Sequence, residues 1–282
     1  MKKYILYFLI FTSLLIVTVC ALLLYESQRF ARTQISFLDI GQGDATLISE
    51  GSYQILIDGG PDGRKLLEEV GRQMPFWDRT IELVIATHPD SDHIDGLVDL
   101  VQNYSVTEFW GVQIERDTSV FAALERNLRN RHVRVRHPER GWKVTLPSGA
   151  SLDVIYPFVA DDVVAFADEP NNASISAIFT AGTDKFFLAG DLHKEVEELL
   201  PVSDEITVLK ASHHGSSTST SQTLLNRLTP RDVVISAGRG NRYNHPRDEV
   251  VSRVEKSVEN IYRTDLDGTI HYECTDLCVV YR

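Results

Sequence analysis

The stretch "VIATHPDSDHIDG" (residues 84–96) decides the fold. An apolar, β-branched run stops at Thr87. Two histidines and three aspartates then follow within residues 88–95. Buried ionisable groups cost free energy unless they are paired or bound to a metal, and an ordinary turn needs far fewer of them. The pattern reads as a buried strand delivering His88, Asp90, Asp92 and His93 to a loop, with a helix starting near His93.

Working outward, the same arrangement recurs. "FFLAGD" (186–191) is a strand ending at Asp191, "LKASHHGS" (209–216) a strand ending at His213 and His214, and "NRYNHP" (241–246) places His245 after a further strand. Strand ends are where functional loops gather in layered α/β sheets. Carboxylates and imidazoles converging on one edge would make a dinuclear metal site, and its oxygen-rich donor set suits manganese as well as zinc. Upstream, 35–38, 45–48 and 54–57 read as three short strands separated by glycine turns. Helices are expected in 63–74, 95–104, 119–131, 192–200, 221–228 and 248–257, with strands between them. Clustered strands followed by alternating strands and helices suggest two layered sheets with outer helices. With no repeat and no long linker, residues 31–282 read as one domain.

Composition narrows the partners. The chain has 282 residues, and its net charge of −12 weighs against a broad, sequence-independent grip on nucleic acid. A metal site could still supply local positive charge for a phosphate. The segment "RNLRNRHVRVRHPER" (126–140) holds six arginines. It reads as a solvated helix face and an exposed strand in preference to a phosphate-binding strip.

Residues 1–30 differ from the rest. Lys2 and Lys3 precede an uncharged run from Tyr4 to Tyr25, long enough as a helix to cross a hydrocarbon core. The positive-inside rule then puts the N-terminus in the cytoplasm and the following domain outside. A single-pass anchor is favoured over a cleaved signal peptide, because no small-x-small site is evident and the apolar run exceeds the usual signal core. Cys274 and Cys278 flank a closing hairpin in "GTIHYECTDLCVVYR" (268–282), where a disulfide is geometrically accessible and would persist outside the cell.

"THPDSDHIDGL" resembles the H-x-[HD]-x-D-H signature of the metallo-β-lactamase fold. Together with "FLDIGQGDATLI", "ILIDGG", "NNASISAIF", "FFLAGD", "LKASHHGS" and "VISAGRGNRYNHP", in that order, the chain from about Ile35 onward resembles the C-terminal domain of ComEC-type competence proteins. The resemblance implies an α/β fold, an αββα four-layer sandwich preceded here by one N-terminal membrane helix. It also implies a two-metal hydrolase, with His88 and Asp90 on one ion, Asp92 and His93 on the other, Asp191 bridging, and His214 completing the ligand set of the second ion. His213 and His245 would face a substrate phosphate or complete a shell; which of these three histidines ligates stays open. Asp58 would orient a ligand from behind. Asn172 and Ser174 stand where many relatives carry another histidine, and would line the first ion's open side. Asn241 and Tyr243 would contact substrate or shape their loop.

Two positions depart from the wider pattern. Asp90 replaces the second histidine common in the wider fold, as in the ComEC-type group, and Asp95 falls where that group often has glycine. Asp95 reads as an exposed helix-start residue. A single span also leaves a DNA-uptake role behind, since full-length ComEC proteins carry a multi-span channel.

The expected activity is phosphodiester hydrolysis, on nucleic acid first and on cell-envelope phosphodiesters second. Two divalent ions (Zn or Mn) would share the attacking hydroxide. Asp92 would sit at the catalytic centre, and His245 or His213 would pass a proton to the leaving oxygen. The rivals are a lactone or thioester hydrolase of the same fold and a tethered protein that binds metal or nucleic acid without turnover. No protein partner is identifiable.

Overall fold

The computed structural model describes residues 2–29, 32–202 and 205–281. Helix α1 (Lys2–Arg29) comes first. Strands β1 (Thr33–Phe37), β2 (Thr46–Glu50) and β3 (Tyr53–Ile57) follow, then α2 (Gly63–Gln73), β4 (Thr80–Ala86), α3 (Ser91–Asn103), β5 (Ser105–Gly111), α4 (Ser119–Asn130) and β6 (Arg134–Arg136). The second half holds β7 (Lys143–Thr145), β8 (Ser151–Tyr156), α5 (Ala160–Ala165), β9 (Ser176–Ala181), β10 (Asp184–Leu188), α6 (Lys194–Glu197), β11 (Val208–Lys210), α7 (Gln222–Leu228) and β12 (Asp232–Ile235). It closes with α8 (Asp248–Glu255), β13 (Asn260–Arg263), α9 (Thr264–Asp267), β14 (Ile270–Cys274) and β15 (Cys278–Tyr281).

The strands form two sheets, ordered β15-β14-β1-β2-β3-β4-β5-β6 and β13-β12-β11-β10-β9-β8-β7. Alternation along each strand explains the layering. Ile55 and Ile57 of β3, and Leu83 and Ile85 of β4, point between the sheets, where they meet Leu152, Phe179, Phe186 and Val208. Leu56, Val84 and Ala86 point the other way, under α2, α3 and α4. On the outer face of the second sheet, Phe187, Leu209 and Val233 pack under α6, α7 and α8. Side chains of period 2 on strands that are covered on both faces yield four layers. The expected αββα sandwich is therefore the observed architecture.

β3 to β6 are mutually parallel, as are β10 to β13. Their carboxyl ends meet at one edge of the molecule, the place where open α/β sheets hold ligands. α3 is amphipathic, with Ile94, Leu97, Leu100 and Val101 buried at helical spacing. Its first turn is docked by backbone bonds, Gly59 N to His93 O at 2.7 Å and Gly96 N to Gly60 O at 2.9 Å. A side chain at Gly96 would place Cβ 2.0 Å from the Gly59 carbonyl oxygen, so only glycine permits this approach.

Three differences from the sequence expectation stand out. β13 went unrecognised because "NIYR" is four residues long and carries no clear alternation. The helix expected over 192–200 contracts to Lys194–Glu197. The short helices α5 and α9 fill loops that the pattern left unassigned. Cys274 and Cys278 are cross-strand partners and are joined as a disulfide. Within α1, Lys3–Tyr25 has mean hydropathy 2.6 and is long and apolar enough to cross a membrane by length and composition, with no part buried against the sandwich.

Candidate metal centre

The strand carboxyl ends bring His88, Asp90, Asp92, His93, Asp191 and His214 to one place. Asp44, His93, Asp191 and His214 each offer a donor atom within 4.8 Å of the others, and all four are buried. His93 Nε2 lies 3.2 Å from Asp191 Oδ2, and His214 Nε2 lies 3.4 Å from both Asp191 Oδ2 and Asp92 Oδ2. Nitrogen and oxygen donors about 2.0–2.1 Å from a tetrahedral ion stand roughly 3.3–3.4 Å apart. The donor set and its spacing thus fit a divalent cation. Beside it, His88 Nε2 is 3.9 Å from Asp90 Oδ2. His88 Nε2 and Asp191 Oδ1 are buried without a hydrogen-bond partner, which native structures rarely tolerate unless an ion or water satisfies them.

The atoms behind these donors fix their tautomers. Asp58 Oδ2 accepts from His93 Nδ1 and from Thr87 Oγ1, and Asp58 Oδ1 accepts from Thr87 N, each at 2.8 Å. Thr87 Oγ1, having donated its proton, accepts from His88 Nδ1 at 3.1 Å. One buried carboxylate therefore leaves Nε2 of both imidazoles facing the centre. His214 Nδ1 faces Ser236 O at 3.1 Å and Asp44 Oδ1 at 3.3 Å, again freeing Nε2. Asp44 in turn pairs with the buried Lys210 at the end of β11.

His213 and His214 both have left-handed backbones (φ 49° and 54°). Such conformations cost non-glycine residues on the order of 1 kcal/mol or more. The strained pair turns the two rings apart: His214 goes inward, with 1 % of its side chain exposed, and His213 outward, with 23 %.

Charge is concentrated here. Burial alone would lower His93, but Asp191 and Asp58 hold it well above the usual imidazole value. His214 is likewise raised against burial by Asp191 and Asp44. Burial would raise Asp191, yet the two histidines hold its carboxyl well below the usual range. His88 goes the other way: burial, then the charge on His93, push it down to about 3. Burial followed by His213, His214 and Arg247 takes His245 down to about 4, and burial lowers His213. Both shifts favour the neutral ring.

Several candidates are committed elsewhere. Asn172 accepts from the His193 backbone N–H at 3.0 Å and donates to Glu169 Oε2 at 3.2 Å, so its amide holds a loop and does not line the site. Ser174 Oγ, in contrast, accepts from Asp191 N at 3.1 Å and lies 3.3 Å from His88 Nδ1. The Asn241 side chain bonds Gly238, Tyr243 and His245 backbone groups, so it shapes the turn that carries His245. Tyr243 stacks on His245 with centroids 5.9 Å apart. Asp90 Oδ1 accepts from Arg116 at 3.0 Å. Three of the six arginines of the arginine-rich segment are ion-paired, Arg129 with Glu125, and Arg134 and Arg136 with Glu108, and all three are exposed.

Sequence reasoning missed Asp44, Thr87, Arg116 and Lys210 as parts of this arrangement. His193, outside the sequence motifs, stacks on His213 at 5.4 Å. An apolar cavity of about 290 Å³ adjoins the centre and shares His88 with it, walled by Phe109, Phe121, Leu124, Val133 and His137.

Comparison with known proteins places the chain. It is 29 % identical over 269 residues to ComE operon protein 3 of Bacillus subtilis (strain 168), covering 85 % of this chain and 33 % of that protein. It is 27 % identical over 260 residues to Recombination protein 2 of Haemophilus influenzae, covering 90 % of this chain and 31 % of that one. The chain thus spans about a third of the length of the curated relatives it matches. Among solved structures, the metallo-β-lactamase fold protein YhfI from Bacillus subtilis superposes with a TM-score of 0.55 at 13 % identity, over 86 % of this chain and 99 % of that one. Residues 38–239 match the Metallo-beta-lactamase superfamily, and the chain belongs to that superfamily.

Proposed function

We propose that the chain is a membrane-anchored, two-metal phosphodiesterase that cleaves nucleic acid. The observation that carries the proposal is Asp191. One carboxylate oxygen faces His93 and His214, while the other is buried without a hydrogen-bond partner. A carboxylate with one oxygen among the imidazoles and the other unsatisfied would have a donor left for a second cation. His88 and Asp90 would hold one ion and Asp92, His93 and His214 the other. Manganese and zinc both suit a set of three carboxylates and three imidazoles. When bound, such ions polarise a phosphoryl oxygen and lower the pKa of water.

The protein's own groups do the rest. Asp58 and Asp44 hold the imidazoles in register, and Lys210 balances the buried negative charge behind them. Burial would raise Asp92, but His214 and His93 keep it ionised, and at 24 % exposure it is far more open than Asp191 at 3 %. It is placed to accept a proton from an attacking water. His213 and His245, neutral at pH 7, donate N–H hydrogen bonds to phosphoryl oxygens without acting as acids. Residues 1–30 form the anchor and 31–282 the hydrolase domain, with Lys2 and Lys3 on the cytoplasmic side and the catalytic domain outside.

Nucleic acid as substrate is supported by the ComE operon and Recombination protein relatives, of which this chain spans only a third. A second reading, a lactone or thioester hydrolase, is favoured by one observation: the apolar cavity beside His88 would hold an acyl chain as readily as a base. The test is a side-by-side assay of the manganese- or zinc-loaded chain on single-stranded DNA, RNA, a generic phosphodiester and an acyl thioester. Metal-dependent cleavage of the phosphodiesters supports the proposal. Turnover of the thioester alone favours the second reading, and bound metal with no turnover of any substrate refutes both.

A further inference from the structure

The edge of the molecule opposite the metal centre carries apolar side chains that neither the core nor the site explains. β1 is antiparallel to β2, and β2 to β3, so β1 runs in the same direction as β3, β4 and β5. The amino ends of these four strands lie along one edge, and the carboxyl ends of β3 and β4, leading to Asp58 and His88, along the other. α1 ends at Arg29 and β1 begins at Thr33. Four residue steps, about 14 Å of fully extended chain, are the most that can separate the apolar helix from that first edge.

The loop 74–79, between α2 and β4, opens on the same edge. Its tip presents Phe76, 73 % exposed, and Trp77, 48 % exposed, packed edge to face at 4.7 Å. On the other side of β1, the β14–β15 turn presents Leu277, 60 % exposed, three residues after Cys274, the register partner of Thr33. Neighbouring strands stand about 4.8 Å apart. The strand that follows the aromatic loop therefore starts about 14 Å to one side of the point where the chain enters the sandwich, and the strands joined by the turn of Leu277 lie roughly 5–10 Å to the other. Scattered exposed apolar residues are ordinary. A Phe-Trp pair at a loop tip, bracketing with a leucine the entry point of an apolar helix, is a different arrangement. Amphipathic aromatic rings are the side chains that settle at headgroup level.

We propose that this edge docks on the bilayer crossed by α1, with Phe76 and Trp77 on one side of the anchor and Leu277 on the other, seated among the lipid headgroups. The inference rests on α1 being a retained membrane span. Asp78 and Asp276 stand beside the three apolar residues and limit insertion to the side-chain tips. Docking fixes the direction of the metal centre. β4 has seven residues, which at about 3.3 Å each set the centre roughly 20 Å above the headgroups. The site then faces the aqueous phase and takes its substrate as a soluble polymer, out of reach of the phosphodiesters of its own bilayer.

The test uses the full chain in phosphatidylcholine–phosphatidylglycerol vesicles. Alkaline carbonate extraction reports the anchor. Quenching of tryptophan fluorescence by a headgroup spin-labelled lipid, compared between the parent and Trp77→Phe, isolates Trp77 from the buried Trp110 and the half-buried Trp142. The expected result is a carbonate-resistant chain whose Trp77 component is quenched severalfold by the spin-labelled lipid and is shielded from aqueous acrylamide. A chain stripped by carbonate overturns the anchor and the docking together. A carbonate-resistant chain whose Trp77 component ignores the lipid quencher and stays open to acrylamide overturns the docking alone. As a second variant, Phe76→Ser/Trp77→Ser should leave metal content unchanged while making the domain markedly more accessible to protease at the 30–33 link. Unchanged protease access would also count against docking.

Discussion

Replacing Asp58 by asparagine tests whether the buried groups behind the imidazoles set metal affinity. Asp58 is 1 % exposed and accepts three hydrogen bonds at 2.8 Å. In Asp58→Asn the amide oxygen can still accept from Thr87 N, but the amide nitrogen now faces two donors, His93 Nδ1–H and Thr87 Oγ1–H. To avoid a buried donor–donor clash, His93 must move its proton to Nε2, the atom that faces the centre. Thr87 must turn its hydroxyl, which also releases His88 Nδ1. Groups that orient metal-bound histidines typically account for about 10–100-fold in affinity, or roughly 1.4–2.7 kcal/mol at about 1.36 kcal/mol per tenfold. The assay is competition against a chromophoric chelator at pH 7.5, with the melting temperature of the metal-free variant confirming that it folds. A folded Asp58→Asn protein whose metal affinity stays within about threefold of the parent would refute the tautomer argument.

Other expectations follow from the same geometry. His93 and His214 are held well above the usual imidazole value, so both are protonated at pH 7 without metal and must lose those protons to ligate. Metal uptake should therefore release about two protons and tighten as pH rises; calorimetry in buffers of different ionisation enthalpy reads this directly, and no buffer dependence would refute it. The sign for folding is the reverse. A raised histidine pKa adds stability that is complete below about 6.5 and is lost as pH climbs through the folded value. The metal-free chain should melt earlier at pH 9 than at pH 6, and an equal or higher melting temperature at pH 9 would contradict the assignment. Gly96→Ala forces Cβ to within 2.0 Å of the Gly59 carbonyl and should cost about 1–3 kcal/mol in denaturant unfolding; a change inside about 0.5 kcal/mol would show that α3 is not docked as described. Leu124→Trp, which fills the cavity beside His88, should raise KM for the cognate substrate more than it lowers kcat, and an unchanged KM would remove the cavity from substrate binding.

The layers and most of the metal cluster were legible because their signals are local. Apolar strands ending abruptly in His or Asp gave His88, Asp191 and His214 without any knowledge of tertiary structure. What stayed hidden depends on contacts between distant segments. Asp44 sits in "GQGD", which reads as a polar glycine turn, and only the packed fold brings it to His214, 170 residues on. Lys210 at a strand end looks solvated in sequence, yet it is 3 % exposed and paired with Asp44. Adjacent His213 and His214 are indistinguishable by pattern; their backbone angles decide which ring turns inward. Asn172, expected to line the first ion's open side, and Asn241, expected to contact substrate or shape its loop, both have amides that bond loop groups. Such capping bonds depend on the loop path, which periodicity does not report.

The central claim is that six side chains from three segments, four of them within residues 88–93 and the others Asp191 and His214, hold two divalent ions with Asp191 between them. Elemental mass spectrometry of the folded chain, equilibrated with manganese or zinc and then desalted, measures this most directly. The account predicts two ions per parent chain and almost none in Asp191→Ala that retains the parent's circular dichroism. A parent chain that keeps no ion, or a folded Asp191→Ala variant that keeps both, would contradict it.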